Sequence, residues 1–121
     1  MLEKDAKIFV AGHHGLVGSA IWNNLLQRGY TNLTGRSHKE LDLLDGVAVK
    51  KFFDEEKPDA VVLAAAHVGG IMANLQYRAD FIYRNLQIQQ NVIGESFRHG
   101  VKKLLFLGST CIYPVSYTHL R

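Results

Sequence analysis

The chain is poor in the features that mark several protein classes. It holds a single cysteine, Cys111, in 121 residues, which excludes an internal disulfide framework and fits a reducing compartment. The basic residues exceed the acidic ones only slightly, 14 against 11, and they are scattered, so no nucleic-acid footprint is present. No apolar run approaches the roughly 20 residues of a membrane span. Residues 1–7, MLEKDAK, lack the apolar centre of a signal peptide, and a cytoplasmic protein without a membrane partner is expected. The six histidines, His13, His14, His38, His67, His99 and His119, are not spaced as zinc ligands, and one cysteine does not help them; no metal is expected. Repeats, linkers and low-complexity tracts are also missing. What remains is an ordinary globular composition, 47% hydrophobic and 21% charged, enough for one modest domain or part of a larger one.

The organising stretch is IFVAGHHGLVG, residues 8–18. Ile8, Phe9, Val10 and Ala11 read as a buried strand. After Gly15 the apolar positions Leu16, Val17, Ala20, Ile21 and Leu25 recur at helical spacing over residues 16–28, with Gly29 as the C-cap. Short strands are expected at 32–35, ending in Arg36, and at 40–43. Asp45 is an N-cap for a helix that stops near Lys57, before Pro58. The run 60–66, AVVLAAA, has the continuous apolarity of a strand covered on both faces. A long helix follows over about 77–99, with Phe81, Ile82, Leu86, Ile88, Val92, Ile93 and Phe97 in a wide apolar stripe and Asn85 as a buried amide within it; Gly100 ends it. A last strand spans 102–108. This alternation predicts an α/β fold, a doubly wound parallel sheet of about five strands in the order 3-2-1-4-5. Ligands of such sheets bind beyond the carboxyl ends of the strands, where every unusual loop of this chain falls.

Gly12, Gly15 and Gly18 form Gly-x-x-Gly-x-x-Gly between a strand and a helix. Gly12 suits the tight turn, Gly15 a close approach of backbone to pyrophosphate, and Gly18 the packing of helix on strand, the division of labour in a dinucleotide cradle. A structural turn without a ligand has the same pattern. At the end of the second strand, an acidic residue would accept from a ribose 2′-hydroxyl and repel a 2′-phosphate. Here stand Arg36, His38 and Lys39, with His14 in the glycine turn, a cluster better suited to NADP(H) than to NAD, although Glu40 and Asp42 are close. Asp42 and Leu43 are placed for the adenine edge. Ser109 and Cys111 follow the last strand, where a serine can hydrogen-bond a substrate carbonyl. The thiol fits either proton exchange beside that carbonyl or a small buried hydrophobe.

Four segments, AGHHGLVGSAI, GRSHKELDLLD, AAAHVGGI and LLFLGSTCIYP, together resemble the GDP-L-fucose synthases of the extended short-chain dehydrogenase/reductase group, over about residues 7–114. The last two are far less generic than the glycine motif. The resemblance implies a Rossmann fold and one site that epimerises GDP-4-keto-6-deoxy-D-mannose at C3 and C5, then reduces its C4 ketone with NADPH. It implies that Ser109 polarises the C4 oxygen and that Cys111 is an acid/base group of epimerisation. It places Gly12, His13, His14, Gly15, Leu16, Val17 and Gly18, then His38, Leu41, Asp42 and Leu43, along the cofactor. Ala64 and Ala65 fall near its nicotinamide half, with Leu107 and Gly108 beside Ser109. It further implies a nucleotide-sugar substrate and a homodimer for the full-length protein.

The departures matter as well. Members usually carry arginine where this chain has His14 and another basic residue at His38; histidines hold a phosphate only while protonated. The family's Tyr-x-x-x-Lys pair belongs to a later helix. Tyr117 to Arg121 mimics its spacing, but Tyr117 stands too near Ser109 to serve. Residues 115–121 do not resemble the family's continuation, so 1–114 are expected to be the N-terminal part of an NADP-binding domain that lacks reductase activity alone. Other readings are an NAD(P)-dependent nucleotide-sugar epimerase or dehydratase, opposed by Arg36 and Cys111, and a non-catalytic NADP-binding module.

Overall fold

The computed structural model describes residues 2–64 and 78–106. In chain order these form β1 (Ile8–Ala11), α1 (Leu16–Gln27), β2 (Leu33–Thr34), α2 (Gly46–Glu56), β3 (Ala60–Leu63), α3 (Arg78–Arg98) and β4 (Lys103–Phe106). All pairings are parallel, and the described strands lie in the order β2-β1-β3-β4. The sequence reading of a parallel α/β sheet therefore holds, with one correction: residues 40–43 are not a strand. Asp42 Oδ1 accepts from the Leu44 amide at 3.0 Å and the Asp42 carbonyl from Asp45 N at 3.0 Å. These local bonds turn the chain where a ladder would need it extended. Leu41 is instead a single buried plug in the core.

Alternation along the central strands divides the interior in two. Phe9, Ala11, Val61 and Leu63 face α2 and α3, where Val49, Phe52, Phe53, Ile88 and Val92 meet them. Ile8, Val10, Ala60 and Val62 face the other way, towards Ile21, Trp22 and Leu25 of α1. A two-residue side-chain period thus puts one helix on one face and two on the other, which is the doubly wound arrangement. The first cluster is centred on a ring trio: Phe52 lies 4.4 Å from Phe9 and Phe53 crosses Phe9 edge-on at 6.0 Å.

Asp59 aligns the amino ends of three strands. Its side chain accepts from Lys7 N at 2.9 Å, its amide donates to the Lys7 carbonyl at 2.8 Å, and its own carbonyl accepts from Lys102 N at 2.8 Å. The helix ends follow local chemistry. Asp45 Oδ1 accepts from the amides of Val47 and Ala48, so the expected N-cap is formed. α1 closes with Gly29 N on the Leu26 carbonyl and Tyr30 N on that of Leu25, and α3 repeats the pattern with Gly100 and Val101.

The apolar stripe expected on α3 is narrower in the structure. Ile88 and Val92 are buried, and Asn85, Glu95 and Ser96 are buried beside them, but Leu86 and Phe97 are exposed, Phe97 at 86%. Just past the helix, His99 joins this flank to α2. His99 Nε2 contacts Asp54 Oδ1 at 2.7 Å, while its Nδ1 meets the Glu95 carbonyl at 2.9 Å. Lys50 completes the clasp on the other oxygen of Asp54 at 3.0 Å.

Acceptors at both ring nitrogens favour the protonated form of His99. The Asp54 carboxylate first, and the Glu95 carbonyl second, raise its pKa above the ordinary value. A raised folded-state pKa gives stability that is full below the unfolded value, about 6.5, and is lost as pH rises through the folded one. Thermal melts from about pH 6 to about pH 8.5 should therefore show a steeper fall in Tm for the unaltered chain than for His99→Gln, and equal slopes would refute the assignment.

Candidate functional site

The site begins where β1 stops. Gly12 has φ of 88°, a left-handed turn that costs side-chain-bearing residues most, and its carbonyl accepts from Gly15 N at 3.0 Å. α1 starts immediately, with its N-cap residue Gly15 extended and no side chain capping the first turn, which also lacks an acidic residue. Leu16 and Val17 are exposed, Leu16 at 89%. Among the described residues nothing compensates the first amides of α1 or the positive end of its dipole, a physical opening for an anion.

The three glycines differ in what the chain itself asks of them. A Cβ at position 18 would lie 1.9 Å from the Gly12 carbonyl oxygen, so helix and strand end meet backbone to backbone. A Cβ at position 15 would stand 3.4 Å from that same oxygen, near ordinary contact, and the Gly15 φ of −74° suits any residue. Among the described residues nothing demands glycine at 15. Apart from that oxygen, a Cβ there would meet no described atom within 4 Å, which is room that suits the diphosphate of a dinucleotide.

His13 forms the wall between this turn and β2. Its ring lies 3.9 Å from that of His14 and 5.2 Å from Trp22, and a Cβ on Gly35 would come within 2.6 Å of it. Nδ1 is buried without a hydrogen-bond partner among the described residues. Burial first, then the neighbouring His14, push the pKa of His13 down, with Glu40 opposing and Arg36 assisting. His13 is therefore a neutral packing ring near pH 7.

Past β2 the chain makes a compact reciprocal cap. Ser37 N donates to Glu40 Oε1 at 2.7 Å and Glu40 N to Ser37 Oγ at 3.3 Å, which leaves His38 and Lys39 exposed on the turn between them. Arg36 is more constrained than its place in the sequence implies. Nη1 donates to the Gly35 carbonyl at 3.0 Å, Nη2 pairs with Glu56 Oε2 at 3.1 Å, and the guanidinium lies 5.1 Å from the centre of the Phe52 ring. Asp42 is exposed, Leu43 is half-buried, and the Leu43 carbonyl is fixed by Asn91 Nδ2 at 2.8 Å. On the sheet side, Ala64 N donates to the Ala11 carbonyl at 2.9 Å, extending the β1–β3 ladder to the edge of the crevice.

Gly12, His13, His14, Gly15, Leu16, Val17, Gly18, Arg36 and His38 thus gather at one end of β1 and β2, with Leu41, Asp42 and Leu43 on the segment after them and Ala64 beyond β3. Ala65, the His67–Gly70 loop, Leu107, Gly108, Ser109, Cys111 and residues 115–121 lie outside the described residues. Among the described residues no three His, Cys, Asp or Glu side chains gather as metal ligands, and no helix is long and apolar enough to cross a membrane. Sequence reading missed four participants. Trp22 and Gly35 clamp His13, Glu56 pairs with Arg36, and Asn91 holds the Leu43 carbonyl. The short lateral reach from Gly35 to residue 13 has a sequence signal in its missing side chain; the other three contacts join elements by packing and leave none.

Two outcomes follow from this geometry. Gly18→Ala must separate α1 from the strand end and should cost at least about 3 kcal/mol in urea unfolding, whereas Gly15→Ala should stay within about 1 kcal/mol of the unaltered chain. Trp22, the one tryptophan, reports His13, because a protonated imidazole quenches a neighbouring indole. Its emission should drop on acidification with a midpoint below about 6.5, and His13→Asn should abolish that step; a midpoint above that value would refute the lowered pKa of this half-buried ring.

The sequence model of the NAD dependent epimerase/dehydratase family matches residues 8–119. The chain is 63% identical over 114 residues to GDP-L-fucose synthase 1 of Arabidopsis thaliana, a match covering 94% of this chain and 35% of that protein. With the GDP-L-fucose synthase of Escherichia coli (strain K12) the identity is 56% over 108 residues, 89% of this chain and 34% of the relative. Among solved structures it is similar to MlghC, a GDP-mannoheptose C4 reductase from Campylobacter jejuni with NADP bound, at 50% identity and a TM-score of 0.85, over 89% of this chain and 34% of that one. A GDP-L-fucose synthetase from Naegleria fowleri bound to NADP aligns with a TM-score of 0.78 at 28% identity, over 95% of this chain and 34% of that one. The chain spans about a third of the length of the curated relatives it matches. With a family match that runs from the first residue of β1 through every described element, the chain belongs to the NAD dependent epimerase/dehydratase family.

Proposed function

We propose that this chain is the cofactor-binding part of an enzyme that converts GDP-4-keto-6-deoxy-D-mannose to GDP-L-fucose, using NADP(H). The observation that carries the reading is the glycine turn of residues 12–18, with open space beside Gly15 among the described residues and an uncapped start to α1, in a chain more than half identical over the matched residues to GDP-L-fucose synthases of a plant and a bacterium. The first amides of α1 hold the pyrophosphate. His14, Arg36 and His38 take the 2′-phosphate, and Asp42 and Leu43 border the adenine. The family resemblance assigns Ala64 and Ala65 to the nicotinamide half of the cofactor and Leu107 and Gly108 to its lining.

The chemistry follows from the ketone. Both C3 and C5 of the sugar flank C4, so a proton removed from either carbon leaves an enolate stabilised by the carbonyl. Cys111 is one acid/base group for that exchange, and Ser109 hydrogen-bonds the C4 oxygen, stabilising negative charge as it grows there. NADPH, when bound, supplies the hydride that reduces C4. The protein works in the cytoplasm and, at full length, as a homodimer.

Titration of the 121-residue chain with NADPH, followed by the fluorescence of the nicotinamide, tests the cofactor reading. Saturable binding about tenfold tighter than that of NADH is expected, since a charged phosphate contact is worth on the order of 1.4 kcal/mol. Gly15→Ala should weaken both nucleotides while leaving the melting temperature in place. Equal affinity for NADH and NADPH, or an unaffected Gly15→Ala, would count against it.

A further inference from the structure

Arg36 reaches the end of β2 already engaged. Its Nη2 holds Glu56 Oε2 at 3.1 Å, and its plane lies over the Phe52 ring. Both side chains of the pair are about one-third to one-quarter exposed, 33% for Arg36 and 26% for Glu56, so the contact is not sealed from water and an incoming anion can compete for it. Glu56 also has a second cation. Lys7 Nζ lies 2.7 Å from the other carboxylate oxygen, Oε1, and 3.1 Å from the Glu56 carbonyl. If Arg36 leaves, Glu56 is not stranded, because Lys7 still neutralises it. Arg36 stands between Gly35, which packs against the His13 ring, and the Ser37–Glu40 cap, so it is held at the strand end beside the glycine turn.

We propose that Glu56 is a specificity-determining residue that competes with the cofactor's 2′-phosphate for Arg36. This rests on the NADP(H) reading given above. A cofactor with the 2′-phosphate draws the guanidinium off Glu56, with Phe52 as the flat surface that keeps it near the strand end and Lys7 left to satisfy the carboxylate. A cofactor without that phosphate leaves the pair intact. Glu56 thus lowers affinity for the phosphorylated nucleotide alone, from a position at the end of α2 that touches no nucleotide.

The test is a pair of titrations of the 121-residue chain, with NADPH and with NADH, for the unaltered protein and for Glu56→Gln. The glutamine keeps the shape and removes the charge, so NADPH should bind about two- to fivefold tighter and NADH should be unchanged. Glu56→Asp, which shortens the reach to Arg36, should act in the same direction and carries the test if the glutamine variant does not fold. In an Arg36→Gln background the same change at Glu56 should have no effect on NADPH. A glutamine variant that binds NADPH more weakly or equally overturns the proposal, as does an effect that persists without Arg36. Equal shifts for both nucleotides would assign Glu56 a purely structural role. Failure of the unaltered chain to bind NADPH would instead overturn the cofactor reading, and the competition with it.

Discussion

The contact on which the site depends is the one between Gly18 and the Gly12 carbonyl. It brings α1 onto the strand end at backbone distance, with 1.9 Å between that oxygen and the place where a Cβ would be. Because the helix starts so close to β1, its first amides reach the crevice with no described side chain capping them. Stability and the presentation of those amides are therefore set by one approach. Any residue that relaxed it would also shift the amides.

Around that contact the chain separates duties by element. β1 divides its side chains between two layers, so the position of the glycine turn is fixed by α1 on one face and by the Phe9, Phe52 and Phe53 cluster on the other. The cluster has a second use, because the Phe52 ring that closes the core also supports Arg36. The membership of the NAD dependent epimerase/dehydratase family accords with this plan, in which the cofactor half is made by strand ends and helix starts.

Much of this was legible in the residues. The apolar runs 8–11 and 60–66 announce β1 and β3, Asp45 and Pro58 bound α2, and the glycine spacing locates the turn. Residues 40–43 were misread because Leu41 and Leu43 alternate like a strand, while Asp42 and the Ser37–Glu40 cap supply local hydrogen bonds that outcompete a ladder. Period alone assigns Leu86 and Phe97 to the core, yet α3 buries Asn85, Glu95 and Ser96 and leaves those two exposed, with His99 meeting Asp54 of α2 just beyond the helix. The engagement of Arg36 by Glu56 is a contact 20 residues apart in sequence and has no pattern to announce it. Its cationic neighbourhood was readable; its partner was not.

Asp59 carries a consequence for how the molecule forms. It clips β1 to β3 across a separation of 52 residues and passes the alignment on to β4 through Lys102. α1 and α2 are made of local contacts and can flicker into being early, but the central ladder must wait for a long loop to close. Gly12 follows directly on β1, so the place of the glycine turn against β3 depends on a register that Asp59 sets at the opposite end of the ladder.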